Sequence, residues 1–430
     1  MEMYYSNSTY IYIISIQRNE NMASLATSNP ASTDETKKAP LTAEEKKARR
    51  EARRKARRAA RTMPDSIKNN TFLNDAIAKS LPSNYNFEIK KTLWRIEKVK
   101  PKTVALQFPE GLLMYSCIIS DIIEKFTQVE DVLIMGDVTY GACCVDDYSA
   151  VALGCDMLVH YGHSCLVPVN KTNIPVQYVF VDIDIDVSHL IECIKLTIPN
   201  VNKKIAIMGT IQFTTAVNAT INLLQKDGYI GLQIPQAKPL SRGEVLGCTS
   251  PMLASDVEIL IFIADGRFHL ESAMIQNPHA IAYQYNPYSK IMTVENYQTK
   301  EMHTLRYNQI KKAKRSNKHQ MWGIILGTLG SQGNTEILDR LCKLLKKNNK
   351  DYFLLLLSEI FPAKLNQFNN IDVWVQIACP RLSIDWGEAF NQPLLNTYEA
   401  NVTLGNVEWK DVYPMDFYRK ESGPWTNYFN

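Results

Sequence analysis

DVLIMGDVTYGACCVDD runs from Asp131 to Asp147. After Asp131 comes a short apolar run, Val132–Met135, that ends at Gly136, as a strand running into a turn does. Beyond the turn stand two adjacent cysteines, Cys143 and Cys144. Neighbouring cysteines are too constrained for an ordinary disulfide, and in a strand they would face opposite sides. Two questions follow: which sheet the strand belongs to, and which of the two thiols matters.

The same texture recurs along the chain from Leu81 onward, where short apolar strand candidates alternate with helical stretches in the pattern of parallel βαβ units. A first group holds TVALQFPEG (103–111), DVLIMGDVTYG (131–141), DMLVHYG (156–162) and VQYVFVDI (176–183). A second holds KIAIMGTIQF (204–213), GYIGLQIPQ (228–236), VEILIFIADGRF (257–268) and AIAYQYNP (280–287). A third holds MWGIILGTLGSQGN (321–334), DYFLLLLSEIF (351–361) and DVWVQIACPR (372–381). The repeat is one of element order, not of identical residues. It predicts an α/β protein of three similar domains over 81–195, 196–312 and 313–430, preceded by a disordered and basic helical arm over 1–80.

Of the 430 residues, 45% are hydrophobic and 21% charged, the balance of a soluble globular protein. No stretch approaches the ~18 uninterrupted apolar residues that would cross a bilayer. The opening MEMYYSNSTYIYIISIQ has neither a basic start nor a small-residue cleavage site, which argues against a secretory signal, and Met22 is an alternative start. Residues 1–40 are rich in Ser, Thr, Asn and Lys and read as disordered. Thr42 and Glu45 then form a capping box for a charged helix ending near Pro64. Between Glu44 and Arg61 lie ten Lys/Arg and three acids; taking that +7 from the net +4 leaves the rest at −3. A body of slight negative charge argues against direct nucleic-acid binding, because a phosphate footprint should lie on the fold itself. The arm reads as solvated, with a ribosome, RNA or nuclear-import contact as the sharper alternative. Nine cysteines without a signal fit a reducing compartment and predict a cytoplasmic protein.

In open α/β sheets, sites form beyond the carboxyl ends of the strands. Each group presents a thiol there: Cys143 after DVLIMGDVTYGA, Cys248 in SRGEVLGCTSP, and Cys379 at the end of VWVQIA, before Pro380 and Arg381. Three distant thiolates meeting where three domains join would make a soft-metal site. Three with no fourth fit a cubane iron–sulfur cluster with one open iron, since an ordinary ferredoxin cluster takes four. A structural zinc would show four ligands and paired C-x₂-C spacing, which is absent. Against this stands the plain reading of a cysteine near a strand end as a small core residue. Cys117, Cys155, Cys193 and Cys342 are read that way, and His160 and His163 beside Cys165 as packed, hydrogen-bonded histidines. The Gly-rich LGTLGSQGN (326–334) could cradle a nucleoside or carboxylate on backbone amides, or be a tight strand-to-helix turn. Arg267 and Arg381 could clamp a carboxylate or form ion pairs.

Several longer stretches carry a family resemblance. LPSNYNFEI (81–89), LQFPEGLLMYS (106–116), GDVTYGACCVDD (136–147), LVHYGHSCLVP (158–168), LGCTSP (246–251), ADGRFHLES (264–272), QIACPRLSIDWG (376–387) and the tail YPMDFYRKESGPW (413–425) resemble the catalytic first-subunit family of eukaryotic diphthamide synthase, 2-(3-amino-3-carboxypropyl)histidine synthase, over about residues 81–428. The resemblance implies three Rossmann-like domains with parallel sheets in pseudo-threefold arrangement, each giving one ligand, Cys143, Cys248 or Cys379, to a [4Fe–4S] cluster. Archaeal relatives carry GAC followed by a residue other than cysteine, which points to Cys143 over Cys144. It further implies transfer of the 3-amino-3-carboxypropyl group of S-adenosylmethionine to one histidine of translation elongation factor 2, the reduced cluster breaking the Cγ–S bond to give a radical. No C-x₃-C-x₂-C motif of the usual radical enzymes occurs here. Gly327, Thr328, Gly330, Gln332 and Arg381 are the candidates for binding the cofactor. Implied partners are a paralogous second subunit in a heterodimer, elongation factor 2 as substrate, and a small metal-binding protein as electron donor, with no membrane. The resemblance leads one to expect Asp where this chain has Asn286.

Three other readings are weaker. The paralogous accessory subunit lacks the middle-domain cysteine, so Cys248 argues against it. A quinolinate-synthase-like dehydratase shares three domains and a three-cysteine cluster but not these motifs. An RNA-binding protein would need basic patches on its body.

Overall fold

The strand that opens the sequence argument, Asp131–Met135, is the edge of a four-stranded parallel sheet. Across that sheet the order is Asp131–Met135, Thr103–Gln107, Met157–Tyr161 and Val176–Val179. The fold is that of a computed structural model, which describes residues 12–14, 62–136, 141–315 and 320–429. The capping box at Thr42 and the basic helix as far as Arg61 lie outside the described residues.

The second sheet runs Leu232–Gln233, Ile205–Gly209, Ile259–Ile263 and Ile281–Asn286 in parallel, and Ile291–Glu295 closes its edge antiparallel. The third runs Asp351–Leu357, Met321–Gly327, Val373–Ile377 and Leu394–Leu395 in parallel, with Tyr12–Ile14 antiparallel outside Asp351–Leu357. All three sheets therefore share one winding: the first strand lies second, the next strand is outside it, and the chain then crosses back to the other side. In such a sheet the direction of winding reverses beside the first strand, and the loops leaving the carboxyl ends there part to open a crevice. The α/β class expected from the alternating texture is what the chain adopts.

The central strands are covered on both faces. Every residue of Met157–Tyr161, Ile205–Gly209, Ile259–Ile263 and Val373–Ile377 is buried, the habit of parallel strands flanked by helices. In the third sheet Gly323 lies in register with Trp374. A Cβ on Gly323 would stand 2.3 Å from that indole, so only glycine lets the buried tryptophan lie across its neighbour. Among the described residues, no helix is long and apolar enough to cross a membrane.

Two features beyond the sheets lock the assembly. The helix Thr299–Arg315 carries Arg306, whose Nε and Nη2 each donate to Glu399 at 2.6 Å on the helix Thr397–Thr403. Both side chains are buried, and Tyr413 adds a hydroxyl donor to Glu399 at 2.8 Å. The C-terminal segment then runs over loops of all three sheets. Ser250 N donates to Met415 O at 2.8 Å and Tyr418 N to Thr249 Oγ1 at 2.9 Å. Asn334 meets Asn427 at 2.9 Å, Arg340 donates to Thr426 O at 2.8 Å, and the Tyr428 hydroxyl reaches Leu166 O at 2.6 Å. The strap is held in shape by the Trp425 indole N–H, which donates to Asp416 Oδ1 at 2.7 Å.

Asn286 ends a strand and turns the chain: its Oδ1 accepts from Tyr288 N at 2.9 Å and Ser289 N at 3.2 Å. An Asp carboxylate oxygen could accept the same two bonds, so the departure at this position leaves the turn intact.

Candidate metal centre

Cys143 and Cys144 sit in a tight turn that Gly141 enters with φ +103°, Cys144 N donating to Gly141 O at 3.0 Å. Gln107, at the end of the first strand, fixes this turn by donating to Cys144 O at 2.9 Å and accepting from Asp146 N at 3.3 Å. The two sulfurs are 3.7 Å apart, far beyond the ~2.05 Å of a disulfide. Cys144 is fully buried, whereas Cys143 is half-buried. The doublet thus separates into one inward thiol and one that faces the junction of the sheets.

Cys248 lies at the tip of a narrow turn closed by Leu246 N to Thr249 O at 2.9 Å and Thr249 N to Leu246 O at 3.2 Å. Gly247 is required there, since a Cβ would stand 2.0 Å from the Phe268 ring. Cys379 is the N-cap of the helix Pro380–Trp386, with Pro380 at its first position, where the missing N–H costs nothing.

The structure brings these three thiols together. Burial pushes the Cys248 thiol well up, and the nearby Cys379 and Cys143 push it further. Burial and Cys143 likewise push Cys379 up to about 12. Cys143 goes the other way, down to about 7, chiefly because Cys144 hydrogen-bonds to it, with Tyr418 and Gln332 adding to the effect. Cys248 and Cys379 resist ionising in this company while Cys143 does not, and positive charge beside the three would favour all the thiolates. Among the described residues, no three His, Cys, Asp or Glu side chains stand close enough to hold a single ion. The donor set is all sulfur, and its members lie close enough to influence one another's ionisation.

The other candidates fall into two kinds. Gly330 and Gln332 of LGTLGSQGN pack onto the doublet. Gly330 has φ +55°, and a Cβ there would stand 2.7 Å from Val145 O. The Gln332 amide reaches Cys144 Sγ at 3.5 Å and Cys143 Sγ at 3.9 Å. Gly327 is buried against Ala378 while Thr328 is exposed. A small cavity beside Cys379 is lined by Gln332, Gln376, Ala378, Pro380, Tyr418 and Trp425, among others. Arg381 is engaged by its own chain. It contacts both Asp385 oxygens at 3.0 and 2.9 Å, Glu271 at 2.5 Å, Phe268 O at 2.9 Å and Gly247 O at 3.3 Å. Its guanidinium lies 4.4 Å over the Phe268 ring, so it braces the Cys248 turn against the Cys379 helix. Arg267 makes surface ion pairs with Glu271 and Glu295. His160 is packed as expected, its Nδ1 2.8 Å from Gln107 Oε1.

Sequence reasoning missed Tyr418, His269 and Glu244 here, and read His163 only as a packed histidine. Tyr418 approaches Cys143 from the C-terminal strap. His163 and His269 come from the first and second sheets; burial holds both down at about 4, and His163 adds to the lowering of His269. Glu244 accepts from Ser241 N at 2.9 Å and from the Ser164 hydroxyl, and burial pushes its carboxyl up to about 7. Each acts through a partner far away in the chain, so no local pattern marks it.

Glu244 gives a pH prediction. Its folded pKa lies above the ordinary 4.5, so the fold binds this proton more tightly than the unfolded chain does. The stability this confers is fully present below about pH 4.5 and is lost as pH rises through about 7. We expect Glu244→Gln to abolish that fall, wild type losing at most about 3 kcal/mol relative to the variant between about pH 4 and pH 8. Urea unfolding of both proteins across this range checks it; parallel curves would refute it.

The fold and site define an α/β protein of three mainly parallel sheets with three cysteine thiols gathered where their loops meet. The chain belongs to the diphthamide synthesis protein family, whose model matches residues 108–414. It is 56% identical over 374 residues to the Dictyostelium discoideum 2-(3-amino-3-carboxypropyl)histidine synthase subunit 1, covering 85% of this chain and 78% of that one. The Homo sapiens protein of the same name is 52% identical over 367 residues, covering 85% and 82%. A crystal structure of Dph2 from Pyrococcus horikoshii with a 4Fe-4S cluster superposes with a TM-score of 0.62 at 25% identity, covering 77% of this chain and 93% of that one.

Proposed function

We propose that the chain performs the first step of diphthamide formation. It transfers the 3-amino-3-carboxypropyl group of S-adenosylmethionine to a histidine of elongation factor 2, with Cys143, Cys248 and Cys379 as ligands of a [4Fe–4S] cluster. The observation that carries this is the gathering of those three thiols, one from the loops of each sheet, with Cys143 already lowered toward its thiolate and Cys248 and Cys379 held protonated by burial and by their neighbours. A donor set of three sulfurs with no fourth suits a group of several irons, and the cluster in the Pyrococcus horikoshii relative supports the same reading. When bound and reduced, such a cluster supplies the electron that cleaves the Cγ–S bond of the sulfonium.

The chain's own residues position and exclude. The Arg381 brace holds the Cys248 turn and the Cys379 helix at a fixed separation. Gly330 lets the third sheet's loop close over the doublet, leaving the exposed Thr328 as its candidate contact with the cosubstrate, while Gly327 packs against Ala378. His163 and His269, held neutral by burial, add no positive charge to repel a sulfonium. We read the chain as three domains over 81–195, 196–312 and 313–430, working in the cytoplasm with a paralogous second subunit and a small metal-binding electron donor. The relatives' designation as a subunit 1 supports the first partner.

The test is anaerobic. The chain with its second subunit is loaded with iron and sulfide, reduced, and given carboxypropyl-labelled S-adenosylmethionine and elongation factor 2. Label should appear on the factor. A loaded, reduced complex that transfers none overturns the assignment.

A further inference from the structure

The three thiols do not meet the same surroundings. Cys379 takes backbone amides of Arg381 and Leu382, and Cys248 has the Thr249 hydroxyl at 3.8 Å. Cys143 alone is surrounded by side-chain donors from separate parts of the chain. Cys144 stands 3.7 Å from it, sulfur to sulfur. The Gln332 amide spans the pair at 3.5 and 3.9 Å, and Tyr418 hydrogen-bonds to Cys143 from the C-terminal strap. Gln332 is itself held in place by the closure that Gly330 allows, and Tyr418 by its amide bond to Thr249, next to Cys248.

Resting on the cluster assignment above, we propose that Cys144, Gln332 and Tyr418 are positioning residues that hydrogen-bond the Cys143 thiolate and raise the reduction potential of the bound cluster. The physics is that of any outer-shell donor. Reduction adds negative charge that the sulfurs share, and an N–H, O–H or S–H aimed at a sulfur stabilises the reduced form more than the oxidised one. This also answers the question posed by the doublet. Cys144 is fully buried and presents its sulfur to Cys143, so its service is a hydrogen bond and not a second ligand.

The experiment is a redox titration of the full chain with its second subunit, followed by electron paramagnetic resonance of the reduced cluster. Wild type, Cys144→Ala, Cys144→Ser, Tyr418→Phe and Gln332→Leu are reconstituted side by side, with iron and sulfide counted before titration. The three donor-deleting variants should load as wild type does but reduce less readily. Losing one donor should lower the reduction equilibrium about tenfold, a fall of about 59 mV for one electron. Cys144→Ser keeps a donor and should return toward the wild-type potential. Wild-type potentials in loaded Cys144→Ala and Tyr418→Phe overturn the proposal while leaving the ligand assignment standing. Failure of both Cys144→Ser and Tyr418→Phe to load overturns it too, since a donor is dispensable for assembly. A wild-type chain that takes up no cluster overturns both this proposal and the assignment beneath it.

Discussion

Cys248→Ala is expected to abolish iron–sulfur loading and group transfer together, and Cys143→Ala and Cys379→Ala to do the same. Each thiol comes from a different sheet and from a loop shaped for it: a turn fixed by Gln107, a two-bond turn needing Gly247, and a proline-led helix start. No neighbour can replace one of them without remaking its loop. Even Cys144 is hemmed in by the Gln332 amide and by the Gln107 bond to its own carbonyl. With one of three ligands gone, the loss should exceed the roughly 100-fold that changes in outer-shell partners reach. Iron and sulfide per chain, read beside label transfer, check this. Cys117→Ala, on the exposed face of the helix Ser116–Phe126, is the control and should change neither. A Cys248→Ala chain that loads and transfers like wild type would remove the central ligand from the scheme.

The largest effect on stability is expected from Glu399→Ala. Arg306 and Glu399 are 1% and 0% exposed, and the carboxylate also receives the Tyr413 hydroxyl and the Asn396 amide. Removing it leaves a guanidinium in the core with only Leu394 O, at 2.8 Å, among the acceptors it now uses. Stranding one charge of a buried pair costs about 3–5 kcal/mol. Arg306→Met with Glu399→Leu should recover most of that, because the double change removes both charges and fills similar volume. Urea unfolding followed by circular dichroism measures both. A single variant within about 1 kcal/mol of wild type would mean that water reaches the pair and the burial is not as described.

The strands were legible because their burial is continuous: ILIFI at 259–263 and VWVQI at 373–377 are apolar runs with one possible home, a sheet covered on both faces. Edge elements were not. Ile291–Glu295 is largely exposed and alternates weakly, and Leu394–Leu395 is two residues long. Cys143, Cys248 and Cys379 stood out because reactive residues at strand ends belong to the open side of such sheets. The reason for Gly330 did not, since it lies in the Cys144–Val145 backbone nearly two hundred residues away. Arg381 shows the same limit differently: its charge is visible in the sequence, but whether it meets a ligand or Glu271 and Asp385 depends on how two sheets dock. Tyr418 and Glu244 had no local signal at all.

The strap over Met415 to Tyr428 follows all three sheets in the chain, so a ribosome makes it after them. Every sheet can form before it, yet the Cys143 and Cys248 loops receive Tyr418 and its Thr249 bond only once this segment has emerged. A chain released before this segment would carry all three thiols without the contacts that tie the Cys143 and Cys248 loops together.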